Sequence, residues 1–164
     1  MTIYVDFDGV IFDSETPLFE GYHKLEVQSE KIKLEYIQNI DWNNILDNCK
    51  IINDGIEILK RARDDIAILT KIHSMENEGT AKIKKLRNLG ITSSIYLAPY
   101  TLKKTDIVNP RGNILIDDTV HNLNDWSIKG GISIFFNKDG NDIDGWHQEN
   151  KIYRKIKRLD EIIK

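Results

Sequence analysis

The stretch with the clearest means to do chemistry is TIYVDFDGVIFD at residues 2–13, where a short apolar run ends on Asp6 and Asp8, followed by Gly9. Burying one ionised carboxylate is costly, and a second beside it adds like-charge repulsion unless a cation or a proton compensates. Other polar residues close later apolar runs: Thr70 ends ILT, and Asp117 and Asp118 end ILIDD. Lys103 and Lys104 stand in LKKT, just after Tyr100 and Thr101. In an open parallel sheet the functional crevice lies beyond the carboxyl ends of the strands. If these runs are parallel strands, all four groups converge on one edge, where a lysine supplies positive charge.

The elements needed to position them are legible. TIYVDFD, DIAILT, SSIYLA, GNILIDD and GISIFFN are short β-branched runs separated by longer amphipathic segments. That alternation predicts parallel strands joined by helical crossovers, an α/β fold with a three-layer Rossmann-like parallel sheet. SMENEGTAKIKKLRNLG reads as a helix capped by Ser74 and stopped at Gly90, with Ile83, Leu86 and Leu89 on its inner face. NDGIEILKRARDD reads as a shorter one. The tail NKIYRKIKRLDEIIK, with Ile152, Ile156, Leu159 and Ile163 at helical spacing, is expected to close the fold as a helix. Residues 14–50 carry their own apolar and aromatic side chains, too many for a structureless loop, and are expected to form a small helical insertion.

Composition narrows the classes. At 164 residues, 40% apolar and 30% charged, the chain has the profile of one soluble domain. A net charge of -3 asks for neither nucleic acid nor an acidic membrane surface as a bulk partner. A single cysteine, Cys49, excludes an intrachain disulfide framework and a cysteine-based zinc cluster, and suits a reducing compartment. With neither a basic-then-apolar leader nor an 18-residue apolar window, a cytoplasmic location is expected.

The ordered set VDFDGVIFD, ILT, LKKT and ILIDD resembles the four motifs of the haloacid dehalogenase superfamily. LIDDTVHNLNDWSIKGGISIFFN is similar to the ending of its deoxyribonucleotidase-like branch. The resemblance implies a core of residues 1–13 and 51–164 with a cap at 14–50. It implies a magnesium-dependent phosphomonoesterase working through an aspartyl phosphate on a small phosphate ester, a (deoxy)nucleoside monophosphate first. Asp6 would be the nucleophile and Asp8 the general acid and base. Gly9, Thr70 and Lys104 would bind the phosphate. Asp6, the Asp8 backbone carbonyl, Asp117 and Asp118 would hold Mg²⁺, a hard cation suited to oxygen ligands. Lys103 remains an alternative to Lys104, and the direct ligand between Asp117 and Asp118 stays open.

Other readings keep the motifs. The substrate could be a sugar phosphate or a polynucleotide 3′-phosphate, or the chain could be a catalytically silent nucleotide-binding protein. A phospho-accepting receiver domain shares the residue types, but there the acidic pair comes first, whereas here DFDG does. His23, His73, His121 and His147 show no metal-ligand spacing. Asn122 and Trp126 read as anchors for the loop after the acidic pair. Phe19, Tyr22, Tyr36 and Trp42 read as core of the insertion before they read as a base-stacking platform.

Overall fold

The computed structural model describes residues 1–140 and 153–164. In chain order the elements are β1 (Ile3–Val5), β2 (Phe12–Asp13), α1 (Glu15–Tyr22), α2 (Glu30–Asn39), α3 (Trp42–Asn48), β3 (Lys50–Ile51) and α4 (Gly55–Arg61). Then come β4 (Ile66–Ile72), a π-turn (Met75–Gly79), α5 (Thr80–Asn88), β5 (Ser94–Pro99), α6 (Lys104–Ile107), β6 (Ile114–Asp117), α7 (Val120–Ile128) and β7 (Ile132–Phe136). Strand β8 (Arg154–Ile156) and a 3₁₀ turn (Leu159–Glu161) follow. No helix among the described residues is long and apolar enough to cross a membrane.

The main sheet has the order β5-β4-β1-β6-β7-β8, and every pairing in it is parallel. Strand β1 lies between β4 and β6, with Val5 opposite both Ile68 and Ile116. That register decides the site: one residue further along, Asp6 and Asp117 leave neighbouring strands side by side. The Asp6 N–H still donates to Ile116 O at 3.0 Å, so the alignment persists past the strand end.

Side-chain alternation gives each sheet face its own core. Ile3, Val5, Ile66 and Ile68 pack with Ile58, Leu86, Trp42 and Leu46 on one face. Tyr4, Ala67, Leu69 and Leu115 pack with Leu123 and Trp126 of α7 on the other. The 14–50 segment holds α1, α2 and α3 and is bracketed by an antiparallel ladder in which Phe12 faces Ile51.

Two expectations need correction. The tail is not a helix: Arg154–Ile156 adds a sixth parallel strand, with Ile134 opposite Arg154 and Phe136 opposite Ile156, followed by the 3₁₀ turn. Ile156, Leu159 and Ile163 are buried as their spacing suggested, but the open edge of β7 offers backbone partners that outweigh helical periodicity. Ile152 and His147 lie outside the described residues. On α5, Ile83 is exposed, and the inner face runs instead through Ala81, Lys82 and Leu86.

Trp126 ties α7 to the sheet. Its ring meets Tyr4 edge-on at 5.4 Å, its Nε1 donates to Asn113 O at 3.1 Å, and it lies so close over Gly131 that a Cβ there would strike the indole. Trp126→Ala is expected to lower unfolding stability by about 3–5 kcal/mol in urea titrations.

Candidate active site

The site begins with a lysine between two aspartates. Lys104, the first residue of α6, is buried, and its Nζ reaches Asp6 Oδ1 at 2.8 Å and Asp117 Oδ2 at 2.7 Å. Burial works against the ammonium's charge, but Asp117 and Asp6 outweigh it and hold Lys104 above the usual lysine range. Asp6 Oδ1 also accepts the Phe7 N–H at 2.8 Å, and Oδ2 has no hydrogen bond among the described residues. Asp117 is more fully engaged, accepting Thr119 N–H at 2.8 Å and Asn122 Nδ2 at 3.0 Å. Lys103, by contrast, points outward to Asp125.

The Asp8 carboxylate has a second set of partners. Its Oδ1 accepts Ser14 Oγ at 2.5 Å, and its Oδ2 meets Lys82 Nζ at 2.5 Å. Burial pushes the Asp8 carboxyl up, yet the Lys82 charge and the bonds from Lys82 and Ser14 prevail and keep it below the ordinary carboxylate range.

Asp118 is the poorly compensated member. Among the described residues its carboxylate accepts only a long bond from Thr119 Oγ1, at 3.4 Å. Burial, then the negative charges of Asp117, Asp6, Glu15 and Asp8, push its carboxyl up to about 9. Burial also raises Asp6, with Lys104 pulling against it and Asp117 and Asp8 adding to the rise. Gly9 makes room: it sits at φ +73°, and a Cβ there would overlap the Asp118 carboxylate.

One oxygen each from Asp6, Asp117 and Asp118 lie within 4.8 Å of one another. Three converging carboxylates, two with raised affinity for a proton, form a donor set that fits a hard divalent cation. Asp6, Asp8, Lys104 and Asp118 share the wall of a pocket of about 220 Å³ with Glu15, Lys71, Thr119, His121 and Asn122.

Of the residues expected from the sequence, Asp6, Lys104, Asp117 and Asp118 come together directly, and Asp8 adjoins them. Thr70 and Gly9 are not on that pocket wall. Thr70 Oγ1 lies behind Asp8, accepting from Lys82 Nζ at 3.2 Å, because strand alternation puts Thr70 on the face of Ile68. Lys71, its neighbour on the other face, reaches the pocket instead. The Gly9 N–H donates to Phe12 O at 2.9 Å, so that group is already partnered.

Asn122 and Trp126 both anchor, through Asp117 and Asn113. Trp42 is buried in the core on the sheet face, Tyr22 is buried, and Tyr36 packs on Tyr22 and donates to Leu18 O, which accounts for them as core. Little in the sequence points to Lys71, Glu15, Thr119 or His121, whose place at the pocket depends on which way a strand end or helix start faces. Lys82 and Glu78 carried a faint one, an i,i+4 pair of opposite charge that reads equally well as a solvated face.

Solved structures share this fold. The chain superposes on a magnesium-bound HAD-hydrolase, YfnB, from Bacillus subtilis with a TM-score of 0.64 at 14% identity, covering 98% of this chain and 95% of that one. The fold is that of the haloacid dehalogenase hydrolases. A HAD phosphatase from Thermococcus onnurineus matches with a TM-score of 0.60 at 13% identity over 98% and 94% of the two chains. A haloacid dehalogenase-like hydrolase from Streptococcus pneumoniae matches with a TM-score of 0.55 at 15% identity over 83% and 84%. No family model matches the sequence, and no curated protein does.

Asp118 gives this site a signed pH dependence. Unfolded, the carboxyl releases its proton near 3.8; folded and without a cation, it keeps the proton to about 9. Between those values the native state binds more protons than the unfolded state, so stability falls as pH rises. Thermal melts are expected to show that decline without divalent ions, and a MgCl₂-induced rise in Tm that is larger at pH 8 than at pH 5. Gly9→Ala is expected to weaken that rise.

Proposed function

We propose that the protein is a magnesium-dependent phosphomonoesterase that forms and hydrolyses an aspartyl phosphate on Asp6. The observation that carries this reading is the meeting of Asp6, Lys104, Asp117 and Asp118 at the sheet's carboxyl edge, with Asp8 beside them. Such a cluster combines a nucleophile, a proton carrier and a charge clamp.

Asp6, with Oδ1 held by Phe7 N–H and Lys104, presents Oδ2 to the phosphorus. In-line attack forms the Oδ2–P bond as the bond to the leaving oxygen breaks, and that oxygen takes a proton from Asp8. Water then attacks the phosphorus, Asp8 takes the water's proton, and phosphate leaves with the Asp6 carboxylate restored. Lys104 supplies positive charge to the phosphoryl oxygens as negative charge builds in the transition state. Asp6, Asp117, Asp118 and the Asp8 carbonyl would hold Mg²⁺, which supplies charge neutralisation between an anionic substrate and an anionic nucleophile.

Asp8 is held ionised by Lys82, the state suited to receiving the proton of water. Its acid half requires a bound proton, so esters with poor leaving groups depend on it more than p-nitrophenyl phosphate does.

The core is assigned to residues 1–13 and 51–164. The helical insertion at 14–50 is assigned as a small cap that limits water and selects the leaving group. (Deoxy)nucleoside monophosphates are the proposed substrates, on the similarity of LIDDTVHNLNDWSIKGG to the nucleotidase ending. One lone cysteine supports a reducing, cytoplasmic setting.

A magnesium-dependent panel of thymidylate, deoxyuridylate, other nucleoside monophosphates, sugar phosphates and a 3′-phosphorylated oligonucleotide tests the reading. Turnover is expected to be highest on the monophosphates; preference for the oligonucleotide would replace that substrate class. Asp6→Asn is expected to abolish turnover, and full retained activity would refute the mechanism. Asp8→Asn is expected to lower turnover of alkyl esters by about 10²–10⁴-fold while substrate binding persists.

A further inference from the structure

Lys82 is a fully buried lysine that neither the cation cluster nor the phosphate clamp uses. Its Nζ touches four acceptors: Asp8 Oδ2 at 2.5 Å, Glu78 Oε1 at 2.8 Å, Lys71 O at 3.0 Å and Thr70 Oγ1 at 3.2 Å. Above it lie two aromatic faces, Phe7 at 5.1 Å and Trp42 at 5.5 Å from ring centre to Nζ. Phe7 stands between Asp6 and Asp8, and Trp42 comes from the inserted helices.

Glu78 is held in turn. Its Oε2 accepts the His73 N–H at 2.7 Å and lies 3.2 Å from His73 Nδ1. The turn carrying Glu78 is a π-turn in which Gly79 N–H reaches back to Ser74 O at 2.9 Å. Single π-turns occur often at functional sites, where the extra residue re-aims the side chains that follow. Here the turn and the first turn of α5 bring Glu78 and Lys82, four residues apart, inward together. A buried ammonium with every donor engaged and a rigid roof fixes whatever carboxylate it holds.

We propose that Lys82 is a positioning residue: through Nζ it fixes the Asp8 carboxylate beside Asp6, braced by Glu78 and roofed by Trp42 of the insertion. The inference rests on the phosphatase reading, because it matters to turnover only if Asp8 moves protons. It also gives the insertion a second part, since losing Trp42 would open one side of the lysine's enclosure.

The test separates positioning from mere stability. Lys82→Met strands the Glu78 and Asp8 carboxylates, so it is compared with the double variant Lys82→Met with Glu78→Gln, which removes one stranded charge, and thermal melts accompany the kinetics. The substrates are whichever alkyl phosphate the wild type turns over best, and p-nitrophenyl phosphate. Both variants are expected to lose about 100-fold in kcat on the alkyl ester with KM within about threefold of wild type. The loss on p-nitrophenyl phosphate should be under about tenfold, and the double variant should melt above the single one without regaining kcat. Wild-type kcat in the folded double variant, or equal losses on both esters, would overturn the proposal while leaving Asp6 chemistry intact. A wild-type chain that hydrolyses neither ester, nor any member of the panel, would overturn both readings. If the double variant also fails to fold, Trp42→Phe, which keeps an aromatic roof, is compared with Trp42→Leu: selective loss of alkyl-ester kcat in Leu alone supports positioning, and equal activity overturns it.

Discussion

Charge at the carboxyl edge of the sheet governs this molecule. Four carboxylates, those of Asp6, Asp8, Glu78 and Asp117, pair with two buried ammonium groups, Lys82 and Lys104, and a fifth, Asp118, converges on Asp6 and Asp117. Lys82 serves Asp8 and Glu78; Lys104 serves Asp6 and Asp117. Asp118 is left over, and the rise of its carboxyl to about 9 is the physical expression of that imbalance. In the proposed function a cation from solution supplies the missing compensation, and an anionic guest follows it.

The backbone makes the gathering possible. Because β1 pairs in parallel with both β4 and β6, and Val5 is level with Ile116, the residues just past the strand ends share one level. The partners then fall into two groups: Asp6 meets Lys104 and Asp117, while Asp8 meets Ser14, Thr70 and Lys82. The 14–50 segment leaves and returns through the Phe12 and Ile51 ladder, and its Trp42 lies over Lys82 of the second group.

The parallel sheet was legible because each strand is a short β-branched run bounded by breakers, and such runs have little else to become. The acidic edge was legible for the same reason: Asp6 follows β1 directly and Asp117 closes β6, whereas β4 runs past Thr70 to Ile72. What stayed hidden depends on facing rather than order. Nothing in ILTK tells whether Thr70 or Lys71 meets the pocket until the strand's face is known. Lys82 resembled an ordinary surface lysine, and the apolar spacing of Ile83 and Leu86 drew the helix's inner face one residue away from it. The tail misled because Ile156, Leu159 and Ile163 satisfy a helical stripe and an edge strand followed by a 3₁₀ turn equally well; the choice lay with β7, far away in sequence.

In the proposed reaction Asp6 receives the phosphoryl group beside a cation held by the acidic cluster. A crystal structure of the protein with Mg²⁺ and beryllium trifluoride, a tetrahedral mimic of a phosphoryl group on a carboxylate, tests it most directly. The expected result is beryllium bonded to an Asp6 carboxylate oxygen, with Lys104 Nζ on a fluorine and Mg²⁺ at about 2.1 Å from carboxylate oxygens of the cluster. Beryllium bound to another residue, or a magnesium ion seated away from Asp6 and Asp118, would contradict it.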